Sequence, residues 1–426
     1  MNAKEFARRR RHLMELIGAS GIAVLAAAPE RVRSRDTLYV YRPDSDFYYL
    51  TGFREPEAVA VLVPGRAQGE FLLFCRERNV EREQWDGPRA GPEGAVARFA
   101  ADDAFPISDL DDILPGLLER SDRVYYSIGG NEFDQKLLSF IQTLNTKRQS
   151  SHAPSELVSL DHLLHEMRLF KSRSETGVMR QAARIAAGAH GRAMRACRAG
   201  MKEYELEAEF VHEFRRHGAE CSYPPIVAAG ANACILHYRS NDAPLVDGDL
   251  VLIDAGCELD MYASDLTRTF PVSGRFSAPQ RELYEVVLDA NRAATAKAQA
   301  GNHWNDPHDA AVGVVTRGLK ELGLLDGRVP QLVKSLAYRQ FFMHKTGHWL
   351  GLDVHDVGDY KVADQWRLLE PGMVMTIEPG VYVSANDKSV DKRWRGIGIR
   401  IEDDVQVTRD GPEVLTQGVP TTIAEI

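Results

Sequence analysis

The chain has 426 residues, of which 44% are hydrophobic and 27% charged, so it can bury a large core in two or three domains of about 100 to 200 residues each. Its formal charge of −9, without a long charged tail, argues against nucleic acid or an anionic membrane as a partner. No segment approaches the roughly 20 apolar residues that span a bilayer, and no signal-peptide core follows the basic run at residues 8–11. Five scattered cysteines without a CxxC pair indicate reduced thiols, so we expect a cytoplasmic protein with a small-molecule or peptide substrate.

The first part of the chain combines helical and strand patterns. An amphipathic helical pattern at residues 6–16 is followed by short apolar runs at residues 21–27, 58–64 and 71–74. This mixture predicts an α/β domain. A Leu-rich, charged stretch then leads into a long helical segment at residues 174–199. We therefore place the domain boundary near Ser172, with a smaller N-terminal α/β domain at 1–172 and a second domain at 173–426.

The second domain alternates long helical patterns with strands. The predicted helices are residues 203–216 and 279–300, and the predicted strands are residues 250–254, 373–378 and 398–407. Helices followed by runs of paired strands favour an α+β architecture.

Two aspartates are placed symmetrically about a possible turn. The apolar strand 250–254 ends at Asp254, and Asp265 lies equally far beyond the pair Leu259 and Asp260. If that pair forms the turn of an antiparallel hairpin, the two carboxylates lie opposite each other, with Cβ atoms roughly 4.5 to 5.5 Å apart. Like charges at that distance require a cation between them, and a divalent metal ion fits best. The alternative is a pair of solvated aspartates at the mouth of a hairpin.

Two later strands also deliver carboxylates. The strand 373–378 ends at Glu378, directly before Pro379 and Gly380. In the strand that follows, alternation places Arg400 and Glu402 on one face. The alternative for Arg400 and Glu402 is a simple surface ion pair, worth under about 1 kcal/mol.

Three histidines, His344, His348 and His355, occur within twelve residues among glycines and a tryptophan. A single histidine is more often a structural hydrogen-bonding group than a metal ligand, but this density favours a site. One nitrogen ligand with four carboxylates favours Mn²⁺ or a similar ion over zinc.

These motifs, taken together over nearly the whole length, resemble the aminopeptidase P family of pita-bread metallopeptidases. The resemblance is carried by residues 44–53 in the first domain and, in the second, by residues 235–238, 251–256, 264–271, 348–356, 376–380 and 398–402. It implies a pseudo-two-fold catalytic domain with helices over a curved antiparallel sheet, a homodimer or homotetramer, and a first domain that takes part in access and oligomerisation. Lys345 departs from the family pattern, in which smaller or apolar residues are frequent, and affects the rim of the pocket.

The resemblance also implies a role for each site residue. Asp254 binds one metal ion, His348 and Glu378 bind a second, and Asp265 and Glu402 bridge the two. The substrate shell comprises His237, His344, His355, Tyr382 and Arg400, and Asp36 and Trp85 of the first domain border the entrance. Trp85 could equally be a half-buried packing residue.

The implied reaction is hydrolysis of the N-terminal Xaa-Pro bond by a hydroxide held between two divalent ions, most favourably Mn²⁺, with Co²⁺ or Zn²⁺ as alternatives. Glu378 would accept the proton of the water, while His355 and His237 would stabilise the oxyanion. The rival functions are a prolidase restricted to Xaa-Pro dipeptides, a metal-free binding protein of the same fold, and a creatinase-like hydrolase.

Overall fold

A computed structural model describes residues 1–129, 133–146 and 152–426, and it divides the chain into two compact units, Met1–Met167 and Arg168–Ile426. The predicted boundary near Ser172 lies close to this division. Within the described residues, no helix combines the length and the apolar character that crossing a membrane requires.

The first unit is built on a mixed sheet of six strands, which lie in the order 103–106 (β6), 71–75 (β5), 59–62 (β4), 21–26 (β1), 123–126 (β7) and 156–159 (β8). Strands β4 and β5 are buried along their whole length because they consist almost entirely of apolar residues covered on both faces. The strands are β1 (Gly21–Ala26), β2 (Val32–Ser34), β3 (Thr37–Leu38), β4 (Val59–Leu62), β5 (Phe71–Cys75), β6 (Asp103–Pro106), β7 (Arg123–Tyr126) and β8 (Glu156–Ser159). The helices are α1 (Ala3–Ile17), α2 (Ser45–Thr51), α3 (Val80–Asp86), α4 (Gly91–Phe99), α5 (Leu110–Leu118), α6 (Phe133–Thr146) and α7 (Asp161–Leu169), the last of which continues two residues beyond the division of the units.

The second unit packs long helices against short antiparallel strands. Its helices are α8 (Arg173–Ala196), α9 (Glu203–Arg216), α10 (Ala278–Thr295), α11 (Asp306–Glu321) and α12 (Val329–Lys334). Helix α8 begins at a capping box in which Ser172 and Glu175 satisfy each other's backbone N–H groups. The strands are β9 (Glu220–Cys221), β10 (Ile226–Ala229), β11 (Leu250–Asp254), β12 (Cys257–Leu259), β13 (Tyr262–Ala263), β14 (Thr267–Pro271), β15 (Lys361–Val362), β16 (Gln365–Trp366), β17 (Val374–Ile377), β18 (Gly380–Val383), β19 (Ile397–Arg400), β20 (Asp403–Thr408) and β21 (Gly411–Val414).

Two long hairpins in this unit share one design. In the first hairpin, β11 pairs with β14 and then β12 pairs with β13, and in the second, β17 pairs with β20 and then β18 pairs with β19. Each hairpin is interrupted partway, so that its two ends belong to different small sheets. These interruptions leave short irregular stretches in the interior of the unit, and they position the site described below.

The predicted register of the first hairpin is wrong. Leu259 pairs with Tyr262, so the turn consists of Asp260 and Met261, whose φ angles are 48° and 72°. Two successive positive φ angles are typical of a type I′ turn, the form that fits a two-residue hairpin. Asp254 is consequently opposite Thr267 and not Asp265.

The single strand predicted at residues 398–407 is also wrong. It is two strands, β19 and β20, because the chain changes partner from β18 to β17 at Ile401 and Glu402. The break coincides with Pro379 on the other side of the hairpin, whose missing N–H interrupts regular pairing.

Candidate metal centre

The first hairpin brings Asp254 and Asp265 into the same irregular stretch. Asp254 ends β11, and Asp265 lies between β13 and β14. The two sides of the hairpin approach so closely here that a Cβ at Gly256 would lie 1.7 Å from the carbonyl oxygen of Ser264. Only glycine fits at this position. The hairpin interruption, rather than direct pairing, therefore places both carboxylates at the centre of the unit.

The second hairpin delivers Glu378 and Glu402 in the same way. Glu378 follows β17, and Glu402 lies between β19 and β20, where its backbone N–H donates to the carbonyl oxygen of Thr267 at 3.1 Å. The side-chain hydroxyl of Thr267 donates to Oε2 of Glu402 at 2.6 Å. Thr267 thus joins the two hairpins directly at the carboxylate cluster.

His348 lies in an extended segment that runs beside β17. Its carbonyl oxygen accepts from the N–H of Thr376, and a Cβ at Gly347 would lie 2.0 Å from the carbonyl oxygen of Thr376. Nδ1 of His348 is 2.9 Å from the carbonyl oxygen of Trp349. Because a carbonyl oxygen can only accept, Nδ1 carries a proton, and Nε2, which faces the carboxylates, is the nitrogen that could bind a metal ion in place of its own proton.

These side chains converge on one point. Nε2 of His348 is 3.4 Å from Oδ2 of Asp265 and 3.7 Å from Oε1 of Glu378. Asp265, His348 and Glu402 each offer a ligand atom within 4.8 Å of the others, the spacing of a group that can hold a metal ion. Asp265 and Glu402 are 5% and 2% exposed, so bulk water does not solvate their charges.

The electrostatics of the cluster indicate a shortage of positive charge. Burial raises the pKa of Glu378 to about 7, although His348 and Arg400 oppose the shift. Burial, followed by the charges of Asp265 and Glu378, raises the pKa of Glu402 well above its ordinary value. Burial lowers the pKa of His348, but the hydrogen bond to Asp265 and the charge of Glu378 outweigh this effect and raise it to about 9. Carboxylates that repel one another beside an imidazole whose Nε2 can exchange its proton for a metal ion fit divalent cations.

Sequence reasoning missed Tyr223, whose hydroxyl contacts both aspartates. It lies 2.6 Å from Oδ1 of Asp254 and also hydrogen-bonds to Oδ1 of Asp265. Burial and then the charges of Asp254 and Asp265 raise the pKa of Tyr223 well above its ordinary value, so the phenol stays protonated and acts as a donor. Nothing in the spacing of Cys-Ser-Tyr-Pro-Pro marks this tyrosine as part of a site.

Arg400, Tyr382 and His344 form a connected chain of hydrogen bonds beside the carboxylates. Arg400 donates through Nη2 to Oδ2 of Asp254 at 2.5 Å and through Nη1 to the hydroxyl of Tyr382 at 3.1 Å. The hydroxyl of Tyr382 lies 2.9 Å from Nε2 of His344, whose Nδ1 lies 2.7 Å from the carbonyl oxygen of Lys345. Nδ1 of His344 therefore carries the proton, and Tyr382 donates to Nε2. The ion pair considered between Arg400 and Glu402 is replaced by one between Arg400 and Asp254.

His355 and His237 are exposed residues close to the cluster. The ring of His355 makes an edge contact with the ring of His348, with centroids 4.3 Å apart. Burial and then the charge of His348 lower the pKa of His355, so its imidazole is neutral near pH 7. His237 is exposed, and it is close enough for its charge to lower the pKa values of both His355 and His344.

Three predicted residues have a different setting within their own units. Nζ of Lys345 lies over the ring of Trp366, 5.5 Å from its centroid. Asp36 is an exposed residue between β2 and β3, and Trp85 in α3 is 86% exposed, so Trp85 is not the half-buried packing residue considered as an alternative. Both Asp36 and Trp85 belong to the first unit, and their role at an entrance stays a prediction.

Comparison with protein families gives two matches that agree with this architecture. The model of metallopeptidase family M24 matches residues 177–409, and the model described as aminopeptidase P, N-terminal domain, matches residues 6–125. The chain therefore belongs to metallopeptidase family M24, and it is a metal-dependent hydrolase. Membership of this family implies divalent metal ions, which agrees with the ligand chemistry of the cluster.

Individual relatives narrow the assignment. The chain is 46% identical to Xaa-Pro aminopeptidase of Escherichia coli K12 over 430 residues, which cover 100% of this chain and 97% of the relative. It superimposes on the structure of Pseudomonas aeruginosa aminopeptidase PepP with a TM-score of 0.99 at 59% identity, covering 100% of this chain and 97% of the other. For proline aminopeptidase P II from Yersinia pestis the TM-score is 0.97 at 45% identity, with coverage of 100% and 98%. The chain belongs to the aminopeptidase P family, and the predicted α+β pita-bread architecture is confirmed.

Proposed function

We propose that this chain is an Xaa-Pro aminopeptidase, which releases the first residue from peptides that carry proline in second position. One observation carries the proposal. A cluster of four carboxylates and one histidine, in which Asp265 and Glu402 are buried, lies in a chain that matches an Xaa-Pro aminopeptidase over its full length at 46% identity. The Escherichia coli structure described as aminopeptidase P with the inhibitor Pro-Leu has 45% identity and a TM-score of 0.97, which supports a proline-containing substrate.

The metal ligands in this proposal are the five residues of the cluster. Asp254 would hold one ion, His348 and Glu378 the other, and Asp265 and Glu402 both. A set dominated by carboxylates favours Mn²⁺, with Co²⁺ or Zn²⁺ as alternatives. One relative is described as a zinc-substituted Escherichia coli aminopeptidase P in complex with product. When bound, two such ions would supply an activated water and polarise the scissile carbonyl group.

The protein groups of the reaction have separate tasks. Glu378 would accept the proton of the attacking water and pass it towards the leaving nitrogen, a role that suits a half-buried carboxylate 3.7 Å from Nε2 of His348. His355 and His237 are exposed close to the cluster and would donate hydrogen bonds to the oxyanion of the tetrahedral intermediate.

The hydrogen-bonded chain of Arg400, Tyr382 and His344 would form the proline pocket. An Xaa-Pro bond is a tertiary amide with no N–H, so a selective site must recognise the ring and its neighbours. Tyr382 is 2% exposed and held from both sides, by the guanidinium of Arg400 and by the imidazole of His344. Its position is thus fixed, and it would present a rigid wall to the ring.

Three wider expectations accompany this function. We propose that the protein assembles as a homodimer or homotetramer, in which Asp36 and Trp85 of the first unit border the entrance. We further propose that it acts in the cytoplasm, since its five cysteines are free thiols. No nucleic acid or membrane partner is proposed.

The decisive experiment compares peptides of matched sequence. Purified protein is assayed with Xaa-Pro, Xaa-Pro-Yaa and Xaa-Ala-Yaa in the presence of Mn²⁺, Co²⁺ or Zn²⁺. We expect release of the first residue from Xaa-Pro-Yaa and not from Xaa-Ala-Yaa. Cleavage of Xaa-Pro alone would indicate a prolidase, and hydrolysis restricted to creatine-like compounds would indicate a creatinase. A protein that binds no metal and stays inactive after addition of Mn²⁺ would be a binding protein of the same fold.

Two variants test the ligand cluster. Glu378→Gln and Asp265→Ala should each abolish hydrolysis while circular dichroism shows the fold retained. Glu413→Gln is a suitable control, because Glu413 pairs with Arg180 on the surface of the same unit. Full activity of either ligand variant would contradict the metal-centre hypothesis.

A further inference from the structure

Two cysteines face each other across neighbouring strands close to the metal centre. In the register of β9 and β12, Cys221 is directly opposite Cys257. The adjacent N–H of Ser222 donates to the carbonyl oxygen of Gly256 at 3.1 Å. The backbone N–H and carbonyl of Cys257 instead bond with Ser264, on the far side of β12. Cys221 and Cys257 are therefore a non-hydrogen-bonded pair, the type in which opposing side chains are closest.

This geometry is compatible with a disulfide bond. In a non-hydrogen-bonded antiparallel pair the Cα atoms lie about 4.5 Å apart, and both side chains point to the same face of the strands. A disulfide requires Cα atoms about 4.4 to 6.8 Å apart. The spacing lies at the short end of that range, so the bond would form with strain, which makes a disulfide easier to reduce.

The two thiols differ in how accessible they are to solvent. Cys257 is fully buried in the core of the second unit, with Sγ 3.3 Å from the carbonyl oxygen of Ala182. Cys221 packs against the same core but is only half-buried, so a small oxidant can reach it first. The other cysteines of this unit, Cys197 and Cys234, lie at the end of α8 and beside Val383, and neither has a cysteine as strand partner.

We propose that Cys221 and Cys257 form a reversible intramolecular disulfide that responds to peroxides. The sulfur of Cys221 attacks one peroxide oxygen, the O–O bond breaks, and the released hydroxide takes the thiol proton to leave as water. The sulfur of Cys257 then attacks the resulting sulfenic acid, the S–S bond forms, and a second water leaves. The two thiols lose two electrons in total, and the peroxide gains them.

The disulfide is coupled to the metal centre through the chain that follows Cys221. Ser222 donates to the carbonyl oxygen of Ser264 at 3.0 Å, and Tyr223 is the next residue, with its hydroxyl on Asp254 and Asp265. Because the usual Cα spacing of a disulfide is about 5.5 to 6 Å, the bond pushes β9 away from β12 and displaces Tyr223 from the aspartates. Since misplacements near 1 Å can cost up to about 100-fold in rate, we expect kcat to fall by about tenfold or more.

Oxidation should be slow at neutral pH. Burial raises the pKa of the Cys221 thiol to about 11 and that of the Cys257 thiol to about 12, so little reactive thiolate is present. The reaction should accelerate as the pH is raised from about 7 to 9.

The experiment uses metal-loaded full-length enzyme treated with hydrogen peroxide, with and without later reduction by dithiothreitol. Free thiols are counted in denaturant, and the protein is digested for mass spectrometry. We expect the count to fall from five to three, the intact mass to fall by about 2 Da, and one cross-linked peptide to join Cys221 to Cys257. Dithiothreitol should restore both the thiols and kcat.

Matched variants separate this pair from general oxidation. Cys221→Ser should keep its kcat after peroxide, whereas Cys197→Ser, a half-buried control in the same unit, should behave like the wild type. Peroxide that leaves all five thiols free, or that joins another cysteine pair, would overturn the proposal. Oxidation of Cys221 alone to a sulfinic acid would also overturn the proposal. If kcat is unchanged in the cross-linked enzyme, the coupling of the disulfide to Tyr223 is refuted.

Discussion

Removing the hydroxyl of Tyr223 is the sharpest test of how the metal ligands are positioned. In Tyr223→Phe the ring and its packing stay, and only the group that contacts Asp254 and Asp265 is lost. Because the phenol is buried and its pKa is raised well above its ordinary value, it stays a hydrogen-bond donor at any working pH. The two aspartates then lose the contact that holds their Oδ1 atoms together.

The expected magnitude follows from the kind of bond that is lost. A hydrogen bond to a charged group contributes about 1.5 to 3 kcal/mol, and about 1.4 kcal/mol corresponds to a tenfold change in an equilibrium constant. Residues that orient metal ligands typically change metal affinity by about 10- to 100-fold when they are removed. We therefore expect the dissociation constant for Mn²⁺ to rise by about 10- to 100-fold in Tyr223→Phe.

The assay is calorimetric titration of Mn²⁺ into protein that has been stripped of metal with a chelator. Tyr284→Phe is the matched control, since its hydroxyl is also hydrogen-bonded, at 2.7 Å to the carbonyl oxygen of Thr421, but does not touch the carboxylate cluster. The control should bind Mn²⁺ like the wild type. If Tyr223→Phe and Tyr284→Phe bind Mn²⁺ equally well, Tyr223 does not position the ligands and the reasoning fails.

Three further predictions concern stability, each measured by urea unfolding. Gly347→Ala places a Cβ 2.0 Å from the carbonyl oxygen of Thr376 and should cost about 1 to 3 kcal/mol, whereas Gly313→Ala, inside α11 with open space around it, should cost nothing and can stabilise by up to about 1 kcal/mol. Asp356→Asn removes the carboxylate that pairs with the buried Lys171 and with Arg168, which also contacts Asp353, and should cost about 3 to 5 kcal/mol; a loss below about 1 kcal/mol would refute this. His190 is neutral in the fold because burial lowers its pKa to about 3, so the unfolded chain alone gains a proton below about pH 6.5. The contribution of His190 to the free energy of unfolding should therefore fall by about 2 kcal/mol between pH 7 and 5. If His190→Gln and the wild type show the same change in stability over this range, the reasoning is refuted.

Several helices and strands of the second unit were predictable because they have strong local patterns, whereas others, such as α11, were not predicted. Strand β11 and helix α9 have the predicted bounds, and α8 and α10 differ from the prediction mainly at their ends. Apolar runs and amphipathic periodicity depend on neighbouring residues alone, so the sequence contains this information.

The register of the first hairpin required the tertiary structure. A turn at Leu259 and Asp260, one residue earlier than the observed turn, would place Asp254 opposite Asp265. Which of the two turns forms depends on the backbone conformation at Asp260 and Met261. The single strand predicted at residues 398–407 failed for a similar reason, because its break is set by a change of partner strand.

The amino-acid sequence by itself determined which side chains are available: four carboxylates and a histidine at the ends of apolar strands, whose charges require a cation once they are buried. The tertiary structure alone decided how they meet. Hydrogen bonds between residues far apart in the chain, such as those from Tyr223 to the two aspartates and from Arg400 to Asp254, leave no local periodicity. The ligands meet because the strand pairing of both hairpins is interrupted where the carboxylates lie, and not because Asp254 pairs directly with Asp265.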